Sequence, residues 1–80
     1  STLASSVNVF PNPAYEQLAV VSKGIEVQKV ELMNIAGQVI KTTESNDLVV
    51  TMNVADVASG VYLVRIHTAQ GSTTKQVVIK

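Results

Sequence analysis

The apolar residues of this chain come in short alternating runs, and each run is cut by glycine, proline or small polar residues. The longest strictly apolar stretches, Leu18–Val21 and Val61–Val64, are four residues long. No stretch beyond about ten residues keeps apolar positions at i, i+3, i+4 and i+7, so the runs do not build helix faces. A helix that crosses a bilayer takes about 20 apolar residues, far more than any run supplies. A period of two instead places alternate side chains on opposite faces of a strand. The choice of aliphatic residue agrees, because fifteen Val, five Ile and seven Thr give 27 β-branched residues of 80, against five Leu. Their stiff χ1 suits a pleated surface and slightly disfavours a helix. The pattern predicts an all-β fold.

Along the chain, Ser1–Ser6 reads as a linker end and Val7–Phe10 as a short strand. Pro11-Asn12-Pro13 stops that strand, since prolines cannot serve an interior ladder. Glu16–Val21, Val27–Ile35 (the longest), Gln38–Thr43, Leu48–Val54, Val61–His67 and Thr73–Ile79 read as six further strands. Ala36-Gly37 predicts a tight hairpin in which Gly37 supplies a positive φ. Glu44-Ser45-Asn46-Asp47 reads as a polar turn, and Ala55–Gly60 as one helical turn. Alternation places Leu18, Val20, Val30, Leu32, Val50, Met52, Val54, Tyr62, Val64, Ile66 and Val78 in the core, with Leu48 on the Val50 face. Seven short strands with turn signals at roughly 8–12-residue spacing fit a two-sheet antiparallel sandwich.

The residues offer little for catalysis. His67 is the one imidazole and there is no Cys, which leaves no His or Cys cluster to hold a metal. No Ser sits in a nucleophile elbow, and the acidic residues are scattered singly. Asn46, Asp47, Asn53 and Asp56 read as turn and cap residues rather than a calcium loop. Six Lys+Arg balance six Asp+Glu, so there is no basic footprint for nucleic acid. Three aromatic residues are too few for a sugar- or base-stacking platform. The sequence predicts a domain that is not an enzyme and carries no metal and no cofactor.

Two places exceed turn chemistry. Phe10-Pro11-Asn12-Pro13 sets an aromatic and two rigid residues after the first strand. Val57-Ala58-Ser59-Gly60-Val61-Tyr62 sets Gly60 before a strand whose Tyr62 is placed to anchor a connection through its hydroxyl, as in a tyrosine corner. With Glu31–Ile40 around Gly37, and Lys75-Gln76-Val77-Val78-Ile79-Lys80 at the end, these pieces occur in a telling order. Over residues 7–80 the chain resembles the C-terminal sorting domains of the type IX (Por) secretion system of Bacteroidetes-type bacteria. It departs mildly, with Val57, Phe10 and Asn34 where Leu, Tyr and Asp are commoner.

The resemblance implies a seven-stranded, Ig-like β-sandwich that acts as an address label, joined through residues 1–6 to an N-terminal cargo domain. It implies transit through the periplasm to an outer-membrane translocon, then removal by a sortase-like cysteine peptidase as cargo reaches the cell surface. Pro11, Asn12, Pro13, Gly37, Gly60, Tyr62, Lys75, Val77, Val78, Ile79 and Lys80 are the motif positions it marks for recognition. The competing class is a fibronectin-like spacer or a carbohydrate-binding accessory module. The last strand is further expected to be a free edge open to pairing, including a homodimer, and Ile79-Lys80 is expected to be dispensable for folding.

Overall fold

A computed structural model of the chain describes residues 6–10 and 16–80. Pro11, Asn12 and Pro13, and the expected linker apart from Ser6, lie outside the described residues. Seven strands follow in order: β1 (Val7–Phe10), β2 (Gln17–Ser22), β3 (Val27–Asn34), β4 (Val39–Asp47), β5 (Val49–Asn53), β6 (Gly60–Thr68) and β7 (Gly71–Ile79). They form two antiparallel sheets, a three-stranded one ordered β1-β2-β5 and a four-stranded one ordered β4-β3-β6-β7. This is the expected Ig-like sandwich.

A single buried cluster joins the two sheets. Leu18, Val20, Val50 and Met52 enter it from the three-stranded sheet, and Val30, Leu32, Tyr62, Val64, Ile66, Val77 and Ile79 from the other. The alternation visible in the sequence does this work: along β6, Tyr62, Val64, Ile66 and Thr68 are buried while Val61 and Arg65 are exposed. Each apolar side chain moved from water to such a core contributes about 1.5–3 kcal/mol. Alternation fails at one instructive point. Val27 and Val30 are both fully buried, although regular spacing would set them on opposite faces. The register of β3 slips between Val27 and Lys29 against both neighbours. A bulge there returns both valines to the core side.

Several expectations need correction. Val78 is not a core residue: antiparallel pairing of Val77 with Tyr62 turns Val77 and Ile79 inward, and Val78, opposite Val61, faces outward and is half-buried. Glu44–Asp47 is no turn but the end of β4, where Asp47 pairs with Val27 and Glu44 with Lys29. Polar residues are tolerated there because β4 is an edge. The crossing between sheets falls on Leu48 instead, which is 41% exposed and so leaves the Val50 face. Asp47 Oδ1 accepts from the Leu48 N–H at 3.0 Å, and the Leu48 carbonyl accepts from Ser22 N–H at 2.8 Å. Residues 55–59 form a single reverse turn closed by Val57 N–H to the Val54 carbonyl at 3.0 Å, without a helical turn. β3 is also shorter, at 8 residues, than β4, β6 and β7 at 9.

Candidate recognition surface

The β3–β4 hairpin is built by Asn34, a residue that the sequence reading noted only as a departure. Its Oδ1 accepts from the backbone N–H of Ala36 and of Gln38, both at 3.0 Å. Its carbonyl accepts from Gly37 N–H at 2.9 Å, and its own N–H donates to the Gln38 carbonyl at 3.0 Å. Such Asx geometry fixes a turn from the side chain, and the signal for it was Asn three residues before a glycine. Gly37 closes the hairpin at φ 88°, in the left-handed region that a Cβ makes costly. The tip residue Ile35 is 77% exposed.

The second motif is a tyrosine corner. The Tyr62 hydroxyl donates to the Ala58 carbonyl at 2.7 Å, and the ring is buried. The hydroxyl thereby ties the β5–β6 connection to the core, where Val57 also packs. Gly60 lies at φ 159°, at the border of ordinary extended backbone, and a Cβ there would meet the Tyr62 ring at an unstrained 3.6 Å. Gly37 is therefore the stricter of the two glycine positions.

The third motif is the ending. Val77 and Ile79 are core residues at 0% and 1% exposure, while Lys80 is exposed. Ile79 pairs with Gly60 and belongs to the core cluster, so removing Ile79-Lys80 deletes a core side chain and is expected to cost more than the small loss foreseen for an exposed end. Lys75 sits opposite Val64, on the inward row of the β7 edge.

Register brings these motifs together. Asn34 pairs with Tyr62, and Tyr62 with Val77, so the hairpin, the tyrosine corner and the terminal strand share one row of the four-stranded sheet. Phe10, the last described residue before the proline motif, pairs with Ala19 on the three-stranded sheet.

Charge collects further along the outer face. Glu31 on β3 pairs directly with Arg65 on β6. His67 Nε2 lies 2.5 Å from Glu31 Oε1, and Lys29 Nζ 4.0 Å from Glu31 Oε2. The hydrogen bond from His67 holds the Glu31 carboxyl below the usual carboxylate range, against partial burial and helped by Lys29. Lys41 Nζ on β4 reaches Asp56 Oδ1 in the β5–β6 connection at 2.7 Å, and that bond lowers the Asp56 carboxyl. Among the described residues no three His, Cys, Asp or Glu side chains gather as metal ligands.

A hairpin tip, a tyrosine-anchored connection and an edge strand thus lie at one end of a small Ig-like sandwich. A family model described as the secretion system C-terminal sorting domain matches residues 8–80. The chain belongs to that family, the C-terminal sorting signals of the type IX (Por) secretion system, which are not themselves catalytic. No curated protein sequence matches it. Among solved structures it is similar to PorZ, an essential bacterial surface component of the type-IX secretion system of human oral-microbiomic Porphyromonas gingivalis. The TM-score is 0.78 at 24% identity, over 100% of this chain and 12% of the PorZ chain, a likeness of fold.

Proposed function

We propose that this domain is a folded address label that the secretion machinery reads at the end where its motifs converge. The domain is the C-terminal tail of a cargo and directs export across the outer membrane to the cell surface or beyond. On our reading, residues 1–6 join it to the cargo, and a sortase-like cysteine peptidase cuts in or near that segment after transit through the periplasm. The outer-membrane translocon is the reader, and any catalytic activity belongs to the cargo. Gly37, Gly60, Tyr62, Lys75, Val77, Val78, Ile79 and Lys80 carry the signal, together with Pro11, Asn12 and Pro13. A folded label presents its surface without the ordering entropy that a disordered tag loses on binding.

The observation that supports this reading is the shared row of Asn34, Tyr62 and Val77, which gathers three motifs distant in sequence. The test fuses the chain to a reporter enzyme in a bacterium that carries the system. The reporter is expected outside the cell, separated from the domain, and periplasmic retention would refute the reading. Because Ile79 is core, the signal at the end is tested by removing Lys80 alone. Loss of export with an unchanged melt assigns Lys80 to recognition.

A further inference from the structure

The outer face of the four-stranded sheet is divided. Towards the Gly71 end it carries Glu31 bonded to His67 and near Lys29, with Arg65 opposite Glu31 in the strand register. Towards the Lys80 end it is aliphatic. Met33 follows the inward-facing Leu32, takes no part in the core cluster and is still only 6% exposed. On an outer face that burial comes from neighbouring side chains. Register supplies them: Met33 pairs with Val39 on one side and Leu63 on the other, and Val61 pairs with Val78. Ile40, at the second slip of the β3–β4 register, adjoins them. Val39, Ile40 and Val61 are 43–45% exposed, and Ile35 at the hairpin tip is 77% exposed. A charged or Thr-rich face would serve solubility here, as it does at the other end of the same sheet. The sequence reading missed this patch because Leu32-Met33 and Val77-Val78 look like broken alternation.

We infer that this patch is the docking face for a protein component of the secretion machinery, which meets it with an uncharged aliphatic surface of its own. The inference rests on the sorting reading and names the partner chemistry of the same end of the domain. Three observations favour this occupant. The exposed aliphatic area is on the order of 400 Å², within the range of the largest apolar patch on a monomer, which is often functional. Stable dimers bury about 800 Å² per partner, so the patch suits a contact that forms and releases, as export requires, better than a second copy of this chain. The aliphatic side chains of the patch carry no charge, with exposed Lys80 following Val78 and Ile79 at its rim, so a partner meets it chiefly with apolar surface.

The test uses the reporter fused to the whole chain. Val39→Thr with Val61→Thr keeps shape and strand preference while making the patch polar, and Ile35→Lys alters only the exposed tip. Val49→Thr, at 52% exposure on the other sheet, is the control. Melts of the 80-residue chain are expected within about 3 °C of the wild type for all of them. Export is expected to fall by about tenfold or more for the first two changes, and to stay normal for Val49→Thr. If the double change lowers the melt, Ile35→Lys alone decides. Unchanged export with Ile35→Lys overturns the inference while leaving the sorting reading intact, as does an equal loss with Val49→Thr. A concentration-dependent dimer that Val39→Thr/Val61→Thr dissolves also overturns it, in favour of a second copy. Binding of the wild-type chain, but not the variants, to neutral phosphatidylcholine vesicles overturns it in favour of lipid. A wild-type reporter left inside the cell fails the sorting reading and this inference with it.

Discussion

The four-stranded sheet ends on two strands of 9 residues each, β4 and β7, and they solve the same problem in opposite ways. β4 buries none of its side chains fully, and its register against β3 slips twice. β7 pairs with β6 in nine unbroken rows from Gly60–Ile79 to Thr68–Gly71, and it delivers Val77 and Ile79 to the core. Bulges and a charged side chain on the inward row are devices that keep an edge from pairing with other chains. β4 has both, with Lys41 opposite Leu32 and latched to Asp56. β7 has Lys75 on its inward row and no bulge. One edge is a cover; the other is part of the core with a regular, unbulged ladder.

The largest effects are expected where β7 meets the core. Tyr62 pairs with Val77 and closes the β5–β6 connection through Ala58. Tyr62→Ala is expected to cost about 3–5 kcal/mol, the range for deleting a large buried ring. Tyr62→Phe, which removes only the hydroxyl, is expected to cost about 0.5–1.5 kcal/mol. Urea denaturation of the 80-residue chain measures both, and an unperturbed Tyr62→Ala midpoint would show that the corner does not hold the domain together.

The next contrast sets the two edges against each other directly. Ile79→Ala on β7 removes a fully buried side chain and is expected to cost about 2–5 kcal/mol. Val39→Ala on β4 removes one that is 45% exposed, and about 1 kcal/mol or less is expected. Equal losses at the two positions would mean that β4 carries as much of the core as β7.

Much of this division can be read from the residues, and the part that cannot has a physical cause. Clean period-2 runs such as Leu18 and Val20, or Tyr62, Val64 and Ile66, place their strands and faces without a structure. Val27 escapes that reading because a bulge moves it across the pleat, and nothing local in Val-Gln-Lys announces a bulge. Glu44–Asp47 looks like a turn because an edge strand needs no buried side chain, so its composition resembles a loop. Leu48 looks like a continuation of β5, but whether a chain changes sheets depends on which strands are neighbours, a non-local fact. The recognition end has the same split. Gly37, Tyr62 and the Lys-rich ending are visible as motifs, whereas their common row depends on the β3–β6–β7 order.

A smaller effect tests the outer side of β7, the last strand of its sheet. We expect the regular edge to pair weakly with a second chain at high concentration, through β-augmentation or a swapped strand. Amide hydrogen exchange at low and high concentration reads this strand by strand. Outward-pointing amides between Gly71 and Thr74 of β7 are expected to slow as concentration rises, while those along the β4 edge stay unchanged. Slowing in β4 instead, or a strictly monomeric mass with concentration-independent exchange, would remove the distinction between the two edges.

The smallest expected effect is the response to acid, and it separates the latch of β4 from the centre of the sheet. The folded-state carboxyls of Glu31 and Asp56 are both lowered, the first chiefly by the hydrogen bond from His67 and the second by the bond from Lys41. A carboxyl with a lowered folded pKa adds stability that is fully present above its unfolded value of about 4. That stability is lost as pH falls through the lower folded value. The urea midpoint is therefore expected to be flat on this account near pH 6 and to decline below about pH 4. Glu31 has a side chain only 16% exposed and is flanked by His67, Lys29 and Arg65. Asp56 is 74% exposed, and solvent screens its pairing with Lys41. Glu31→Gln is expected to remove more of the acid-dependent decline than Asp56→Asn. Midpoints measured between pH 3 and pH 6 for the wild type and both variants decide it. A larger share for Asp56 would make the latch of β4 a stronger element than its exposed, twice-bulged strand suggests.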